Sequence, residues 1–126
     1  MIRYRYAAEV QPPAPFVNVS VRCPSTNRQI ERLPALLDSG SDCTVLPSSV
    51  VAALDLVQVG LQECQDFHAD RVMRSVFLVA VSIHEFPAVE VRAILEERQT
   101  HILLGRDVLN SRRIVVDGPR LTLEIE

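Results

Sequence analysis

The chain has 126 residues and a mass of 14.1 kDa, which corresponds to one domain with a core of its own. Apolar residues make up 48% and charged residues 23%, so disorder, collagen and coiled coil are excluded as descriptions of the whole chain. The net charge of −3 argues against a broad nucleic-acid surface. Arg3, Arg5 and the pair Arg112-Arg113 are the features that favour one, and we interpret them as solvated edges.

Cysteine usage and the N-terminal residues bear on where the protein works. The three cysteines, Cys23, Cys43 and Cys64, are odd in number and widely spaced, which is typical of reduced thiols rather than of a disulfide framework. Arginines interrupt the first apolar residues, so we expect no signal peptide, and no apolar run approaches the length of a membrane span. We therefore expect a cytoplasmic protein that does not bind membranes.

The first half of the chain has the pattern of a β-hairpin. Residues Phe16 to Arg22 alternate between apolar and polar, and a turn-rich stretch leads to a second strand from Ile30 to Leu37. Pro34 indicates an edge or a bulge within that strand. The prolines at 12, 13 and 15 form an extended connector, so we expect an N-terminal arm or strand over residues 1–15 and the main domain over residues 16–126.

The second half adds more short strands and little helix. After a polar turn, Val45-Leu46 is a short strand, and Ser48 is a good N-cap for a helix whose apolar residues are Val50, Val51, Leu54 and Leu56. Strands are predicted at 58–67, 72–83, 86–95 and 102–104, a second helix at 108–112, and a hairpin from 114–116 and 121–125. The tip of the hairpin between the first two of these strands is His68, Ala69, Asp70 and Arg71. Many short strands at this spacing predict an all-β barrel or sandwich with one or two short helices.

Asp38 is the residue on which the case for chemistry rests. It follows two leucines at the end of an apolar strand, where a carboxylate is partly desolvated. Gly40 offers the turn a freely rotating backbone, Ser39 and Ser41 offer hydroxyls, and Thr44 can hydrogen-bond back into the turn. The alternative is an Asx turn, in which Asp38 only ties down its own loop.

Two motifs together carry a resemblance to a known family. The string Leu36-Leu37-Asp38-Ser39-Gly40-Ser41-Asp42-Cys43-Thr44-Val45-Leu46 resembles the active-site strand of the retropepsin-like aspartic proteases, and Ile102-Leu103-Leu104-Gly105-Arg106-Asp107 resembles their second signature. The resemblance covers residues 16–125 and implies a closed barrel with a flap hairpin. It implies that Asp38 is catalytic and that Ser39, Gly40 and Thr44 support its loop.

The same resemblance implies how the loop is braced. Arg106 is expected to pair with Asp42, and Ser39 to hydrogen-bond across a dimer. A buried pair of this type would cost about 3–5 kcal/mol to break, so we expect Arg106→Ala to give monomers or insoluble protein. The sequence departs from the family in two places, since the flap tip at 68–71 contains no glycine and Cys43 replaces a residue that is often acidic.

One catalytic aspartate per chain implies a homodimer. Hydrolysis by this route needs two carboxyl groups around one water, and the sequence contains a single Asp-Ser-Gly. Two-fold symmetry would bring Asp38 of each chain together, with an extended peptide bound beneath the flaps. No cofactor is expected. The C-terminal strand at 121–125 either interleaves between subunits or folds back within its own chain.

Three other functions stay open from the sequence. A retropepsin-like module that binds peptides or assembles without proteolysis keeps every motif. A zinc site could use Cys64 and His68, but a closed site needs four ligands and only this close pair is visible, so we expect no metal. A thiol nucleophile would need Cys43 to meet His68 or His101 in space.

Overall fold

The structure, a computed structural model, describes residues 1–65, 68 and 70–126. Strands dominate this part of the chain, and two short helices lie between them. The first five strands are β1 (Ile2–Arg5), β2 (Phe16–Arg22), β3 (Gln29–Leu37), β4 (Val45–Leu46) and β5 (Gln58–Gln65). The others are β6 (Arg71–Ile83), β7 (Val89–Leu95), β8 (Ile102–Leu104), β9 (Ile114–Asp117) and β10 (Thr122–Ile125), and the helices are α1 (Ser48–Ala53) and α2 (Arg106–Leu109).

Six strands close into a barrel. They are hydrogen-bonded in the order β2-β3-β8-β4-β7-β6, and β6 returns to pair with β2, so the ring has no open edge. Strand β5 lies outside the ring and pairs with the first half of β6 to form a long hairpin. The prediction of an all-β closed barrel with a flap hairpin and one or two short helices is confirmed.

The alternation seen in the sequence decides which side chains fill the barrel. In β2, Val17, Val19 and Val21 are buried while Asn18 is exposed. The largest fully buried side chains of the core are valines, leucines and isoleucines from the barrel strands, from β10 and, in Leu54, from the end of α1. Strand β8 pairs with residues 35–37 of β3 and does not extend to Pro34. The missing N–H of Pro34 therefore breaks no hydrogen bond between β3 and β8.

The two chain ends form a small sheet in the order β1-β10-β9. Strand β10 is its central strand, with Ile2 opposite Ile125 on one side and Val116 opposite Leu123 on the other. Leu123 and Ile125 are fully buried and join the core. The sequence allowed the C-terminal strand either to interleave between subunits or to fold back. In this structure β10 folds back and pairs within its own chain.

Several predicted boundaries were wrong. Strand β7 begins at Val89 and not at Phe86, because Phe86 closes a turn by donating its N–H to the carbonyl of Ile83 (3.0 Å). The second helix covers Arg106–Leu109 rather than 108–112, because Gly105 is its N-cap. The first helix has Pro47 at its N-cap, so Ser48 is the first helical residue and caps nothing.

The hairpin tip ends one residue earlier than predicted. Arg71 is the first residue of β6 and pairs with Gln65, so it does not belong to the tip. His68 and Asp70 lie between the two strands, as predicted, and both are exposed. The predicted tip residue Ala69 and the predicted strand residue Phe67 lie outside the described residues.

No helix in the described ranges is both long and apolar enough to cross a membrane.

Candidate functional site

The two sequence motifs meet because β3 and β8 are parallel neighbours. Leu37 pairs with Leu104, so the residues that follow them, Asp38 and Gly105, leave the sheet at the same edge. The N–H of Asp38 donates a hydrogen bond to the carbonyl of Leu104 (3.0 Å), which extends the pairing by one residue. The start of the Asp38 loop is thereby fixed to the strand that carries the second motif.

Asp38 is half-buried at the start of a tight turn. Its Oδ1 accepts a hydrogen bond from the N–H of Gly40 (3.1 Å), and its carbonyl accepts one from the N–H of Ser41 (3.1 Å). The Asx turn of the alternative interpretation is therefore formed. It uses one carboxylate oxygen, Oδ1, and among the described residues none donates a hydrogen bond to the other, Oδ2.

Gly40 suits the turn for a different reason from the predicted one. None of the glycines in the chain has a positive φ, so the turn does not use the backbone freedom of glycine. A Cβ at position 40 would instead lie 3.3 Å from Oδ1 of Asp38, which is a tight contact against the oxygen that holds the turn.

Arg106 is the residue that ties the Asp38 loop to α2. Its backbone N–H donates to the carbonyl of Ser41 (2.9 Å), and its guanidinium donates to the carbonyl of Ser39 (2.7 Å). The guanidinium also contacts the carboxylate of Asp42, so the structure brings the predicted pair together. Arg106 therefore spans the loop on both sides of Gly40.

The expectation that this pair is buried was wrong for the single chain. The side chain of Arg106 is 44% exposed and that of Asp42 is 85% exposed. An exposed pair contributes about 1 kcal/mol or less, because water screens both charges. The main effect of Arg106 is thus to orient the loop through the carbonyl of Ser39, and its contribution to the stability of the chain is small.

Thr44 and Asp107 form the buried link between the two motifs. Thr44 is completely buried; its hydroxyl donates to Oδ1 of Asp107 (2.8 Å) and accepts the N–H of Gly105 (3.3 Å). Its backbone N–H donates to Oδ2 of Asp107 (3.0 Å). Thr44 was expected to bond back into the Asp38 turn, but it bonds to the second motif.

Asp107 is the site residue that the sequence reasoning missed. A signal was available, because Thr44 is a polar residue that leads directly into a buried strand, and buried hydroxyls need partners. The partner could have been sought in the Gly-Arg-Asp motif.

The cysteine and histidine side chains considered for a thiol nucleophile or a zinc site have surroundings that suit neither. Burial and the negative charge of Asp107 raise the pKa of the Cys43 thiol to about 11, which keeps it protonated and a poor nucleophile at neutral pH. The ring of His101 packs edge-on against Phe16, with 5.0 Å between centroids. In the part of the chain that the structure describes, no three metal-binding side chains come together.

Three of the four arginines noted for nucleic-acid binding make contacts within the chain. Arg3 pairs with Glu124 (2.5 Å), and Arg113 pairs with Glu126 (3.1 Å). Arg112 lies over the ring of Phe86, 4.4 Å from its centroid. These contacts are consistent with the interpretation of solvated edges.

A cavity of about 610 Å³ lies beneath the hairpin β5–β6 and next to the motif strands. Val45 and Leu103 line it on the motif side, while Cys64, Val72 and His68 line it on the hairpin side. Leu103 directly precedes the residue that holds the N–H of Asp38. The cavity therefore borders β4, which follows the Asp38 loop, and β8, which precedes the second motif loop, and its volume is in the range of ligand-binding clefts.

Comparison with known proteins gives relatives in structure but not in sequence. No protein-family profile and no curated protein matches the sequence. A retropepsin-like aspartic protease from Rickettsia conorii superposes with a TM-score of 0.68 over 98% of this chain and 88% of its own, at 14% identity. EIAV protease in complex with the inhibitor HBY-793 superposes with a TM-score of 0.57 over 78% of this chain and 86% of its own, at 19% identity.

A third solved structure extends the likeness beyond viral and bacterial proteases. The retroviral protease-like domain of Ddi1 from Leishmania major superposes with a TM-score of 0.51 over 88% of both chains, at 12% identity. Identities this low show a shared fold. The barrel, the flap hairpin and the crossing of the two motif loops together identify the fold of this chain as retropepsin-like.

Proposed function

We propose that the protein is an aspartic endopeptidase that works as a homodimer, with Asp38 of each chain at a shared active site. The observation that carries this proposal is the position of Asp38. Its carboxylate is half-buried at the edge where β3 and β8 end, with one oxygen held by Gly40 and its backbone held by Leu104. Structural likeness to two aspartic proteases supports the same chemistry.

The proposed reaction divides the work between two carboxyl groups. One Asp38, ionised, takes a proton from a water, while the partner's Asp38, protonated, donates a hydrogen bond to the scissile carbonyl. Two carboxyl groups that contact the same water share one proton, because two negative charges at this distance repel each other. They therefore titrate as a pair. The Gly40 N–H on Oδ1 would hold each carboxylate in the plane needed to face the water.

The proposed substrate is an extended peptide bound beneath the hairpin β5–β6. An extended peptide alternates its side chains between the two faces, so alternate side chains would enter pockets such as the one next to Leu103. The cytoplasm is the proposed location, because an odd number of widely spaced cysteines suits a reducing compartment.

The test compares the wild type with Asp38→Asn on a denatured protein substrate from acidic to neutral pH. We expect cleavage by the wild type and a loss of at least about a thousandfold in the variant, because asparagine can neither accept the water proton nor donate as a carboxylic acid. The control is Asp55→Asn, an exposed aspartate after α1 whose positive φ asparagine tolerates. Equal cleavage by the wild type and Asp38→Asn, or none by either, would contradict proteolysis.

A peptide-binding or assembly module without proteolysis is the second candidate. The Asx turn favours it, because that turn gives Asp38 a structural use in the loop that needs no catalysis. This candidate predicts that Asp38→Ala, which removes the acceptor of the Gly40 N–H, lowers the melting temperature of the protein, whereas Asp38→Asn, which keeps an Oδ1 acceptor, does not. It also predicts that peptides bind to the wild type and to Asp38→Asn without being cleaved.

A further inference from the structure

The cavity beneath the hairpin has one apolar side and one charged side. On the apolar side lie Val45, Ile94 and Leu103, and the first two of these belong to a small buried cluster with Val76. On the charged side lie Arg74 from β6 and Glu96 and Arg98 from the segment after β7. A ligand group in this cavity therefore meets hydrocarbon along one flank and fixed charge along the other.

The glutamate on the charged side is fully occupied by contacts within the chain. One oxygen of Glu96 forms an ion pair with the guanidinium of Arg74 (2.5 Å), and the side chains of Glu96 and Arg74 are only 19% and 26% exposed. Its other oxygen accepts the backbone N–H of Arg98 (3.1 Å). Arg74 is thus neutralised by a partner that is itself held in place.

The guanidinium of Arg98 is the charged group on this side of the cavity that Glu96 does not neutralise. Among the residues that the structure describes, none forms an ion pair or hydrogen bond with it, although the backbone of the same residue is fixed on Glu96. Two arginines against one glutamate leave this wall with an excess positive charge. A guanidinium offers five N–H donors in a plane that matches a carboxylate.

We propose that this cavity receives an acidic side chain of the peptide, in the first place a glutamate, and that Arg98 selects it. Glutamate fits both walls, because its methylene groups can lie along Val45, Ile94 and Leu103 while its carboxylate reaches the guanidinium. The inference rests on the proposed function, since it concerns a substrate side chain near the bond that Asp38 would cleave. The inference goes beyond the proposed function because it specifies that the substrate side chain in this cavity is acidic.

The test uses peptides that differ only by Glu, Gln, Leu or Lys at one position, moved in turn along the sequence around the cleaved bond. At the position that enters the cavity, we expect kcat/KM of the wild type to favour Glu over Gln by about fivefold, the upper end for a pair that is partly exposed to water. Arg98→Gln removes the charge and should bring the ratio of Glu to Gln to about one. Arg98→Glu should reverse the preference in favour of Lys.

The matched control is Arg92→Gln. Arg92 is an exposed arginine on β7 that does not line the cavity, so this variant makes the same change of charge and should keep the preference for Glu. Equal kcat/KM for the Glu and Gln peptides at every position, or a preference that survives in Arg98→Gln, would overturn the proposal.

Binding separates this inference from the proposed proteolysis. If no peptide is cleaved, proteolysis fails, and the dissociation constants of the same labelled peptides are then measured by fluorescence anisotropy. Tighter binding of the Glu peptide that disappears in Arg98→Gln would support the acidic preference by itself. Equal dissociation constants for Glu and Gln would overturn it.

Discussion

Gly105 is the residue at which the two motif loops come closest. A Cβ built there would lie 2.4 Å from the carbonyl carbon of Cys43 and 2.5 Å from its oxygen. Both atoms belong to backbone that is fixed by the neighbouring hydrogen bonds of Ser41 and Thr44. No rotation of a side chain can relieve such a contact, so the crossing of the loops requires glycine.

We therefore predict that Gly105→Ala destabilises the protein by about 1–3 kcal/mol or more, the usual cost of overpacking. The measurement is urea unfolding at a fixed protein concentration. Gly118→Ala is the matched control, because a Cβ there meets nothing within 4 Å and Gly118 has no positive φ. Equal unfolding midpoints for the two variants would contradict the close crossing.

Two cysteines differ in acidity because of their neighbours. Hydrogen bonds from the side chains of Ser25 and Thr26 lower the pKa of Cys23 to about 7, since they stabilise the thiolate. Burial, followed by repulsion from Asp107, raises the pKa of Cys43 to about 11. Cys23 is thus mostly thiolate at pH 8, whereas Cys43 is almost entirely protonated.

This difference predicts two pH profiles for alkylation by iodoacetamide, read for each cysteine by mass spectrometry. Only the thiolate reacts, so the rate at Cys23 should level off above about pH 8, one unit above its pKa, whereas the rate at Cys43 should still rise about tenfold per pH unit at pH 9. Comparing the shapes of the profiles cancels the difference in access between the two sites. A rate at Cys43 that levels off below pH 9 would contradict its raised pKa.

At the scale of elements, Thr44 and Asp107 join β4 to α2. The threonine hydroxyl connects Asp107 to the N–H of Gly105, and Asp107 also accepts the N–H of Val108 (2.9 Å), so one carboxylate organises the start of the helix. Thr44→Val keeps the shape but leaves the N–H of Gly105 without its acceptor. We expect a loss of about 1–3 kcal/mol in the free energy of unfolding.

A double-mutant cycle isolates this link from the other effects of each change. Thr44→Val, Asp107→Asn and the double variant are compared with the wild type by urea unfolding. Groups in direct contact show coupling of about 0.5–3 kcal/mol, so the double variant should lose less stability than the two single losses added together. Strict additivity would mean that the two elements are held by other contacts.

The same elements show what the sequence could predict and what it could not. Strand β2 was predicted with its observed bounds, because alternation is a local property and Val17, Val19 and Val21 record it directly. The link between Thr44 and Asp107 was missed because hydrogen bonding between residues far apart in the chain leaves no periodic pattern. Pairing of Ala35 with Ile102 between the neighbouring strands β3 and β8 is non-local in the same way, and no local pattern predicts it.

In the whole molecule, closure of the barrel and the position of β10 limit how a second chain can join. The six barrel strands have no open edge, and β10 is paired on both sides within its own chain. Interleaved C-terminal strands would first require β10 to leave β1 or β9 and to expose Leu123 and Ile125, which are fully buried. The proposed homodimer would bring the Asp38 loops of both chains together at its two-fold axis.

Mixing of subunits tests whether two chains share one site. Asp38→Asn chains added in rising amounts to a fixed amount of wild type should form mixed dimers that contain one carboxylate. Activity per wild-type chain should fall to about half at an equal ratio and approach zero at large excess, because isologous pairing distributes the chains at random. Asp55→Asn chains, which keep Asp38, should raise the total activity when added in the same way. If activity per wild-type chain stays constant at every ratio, each chain works alone, and the single Asp38 must act without a symmetry mate.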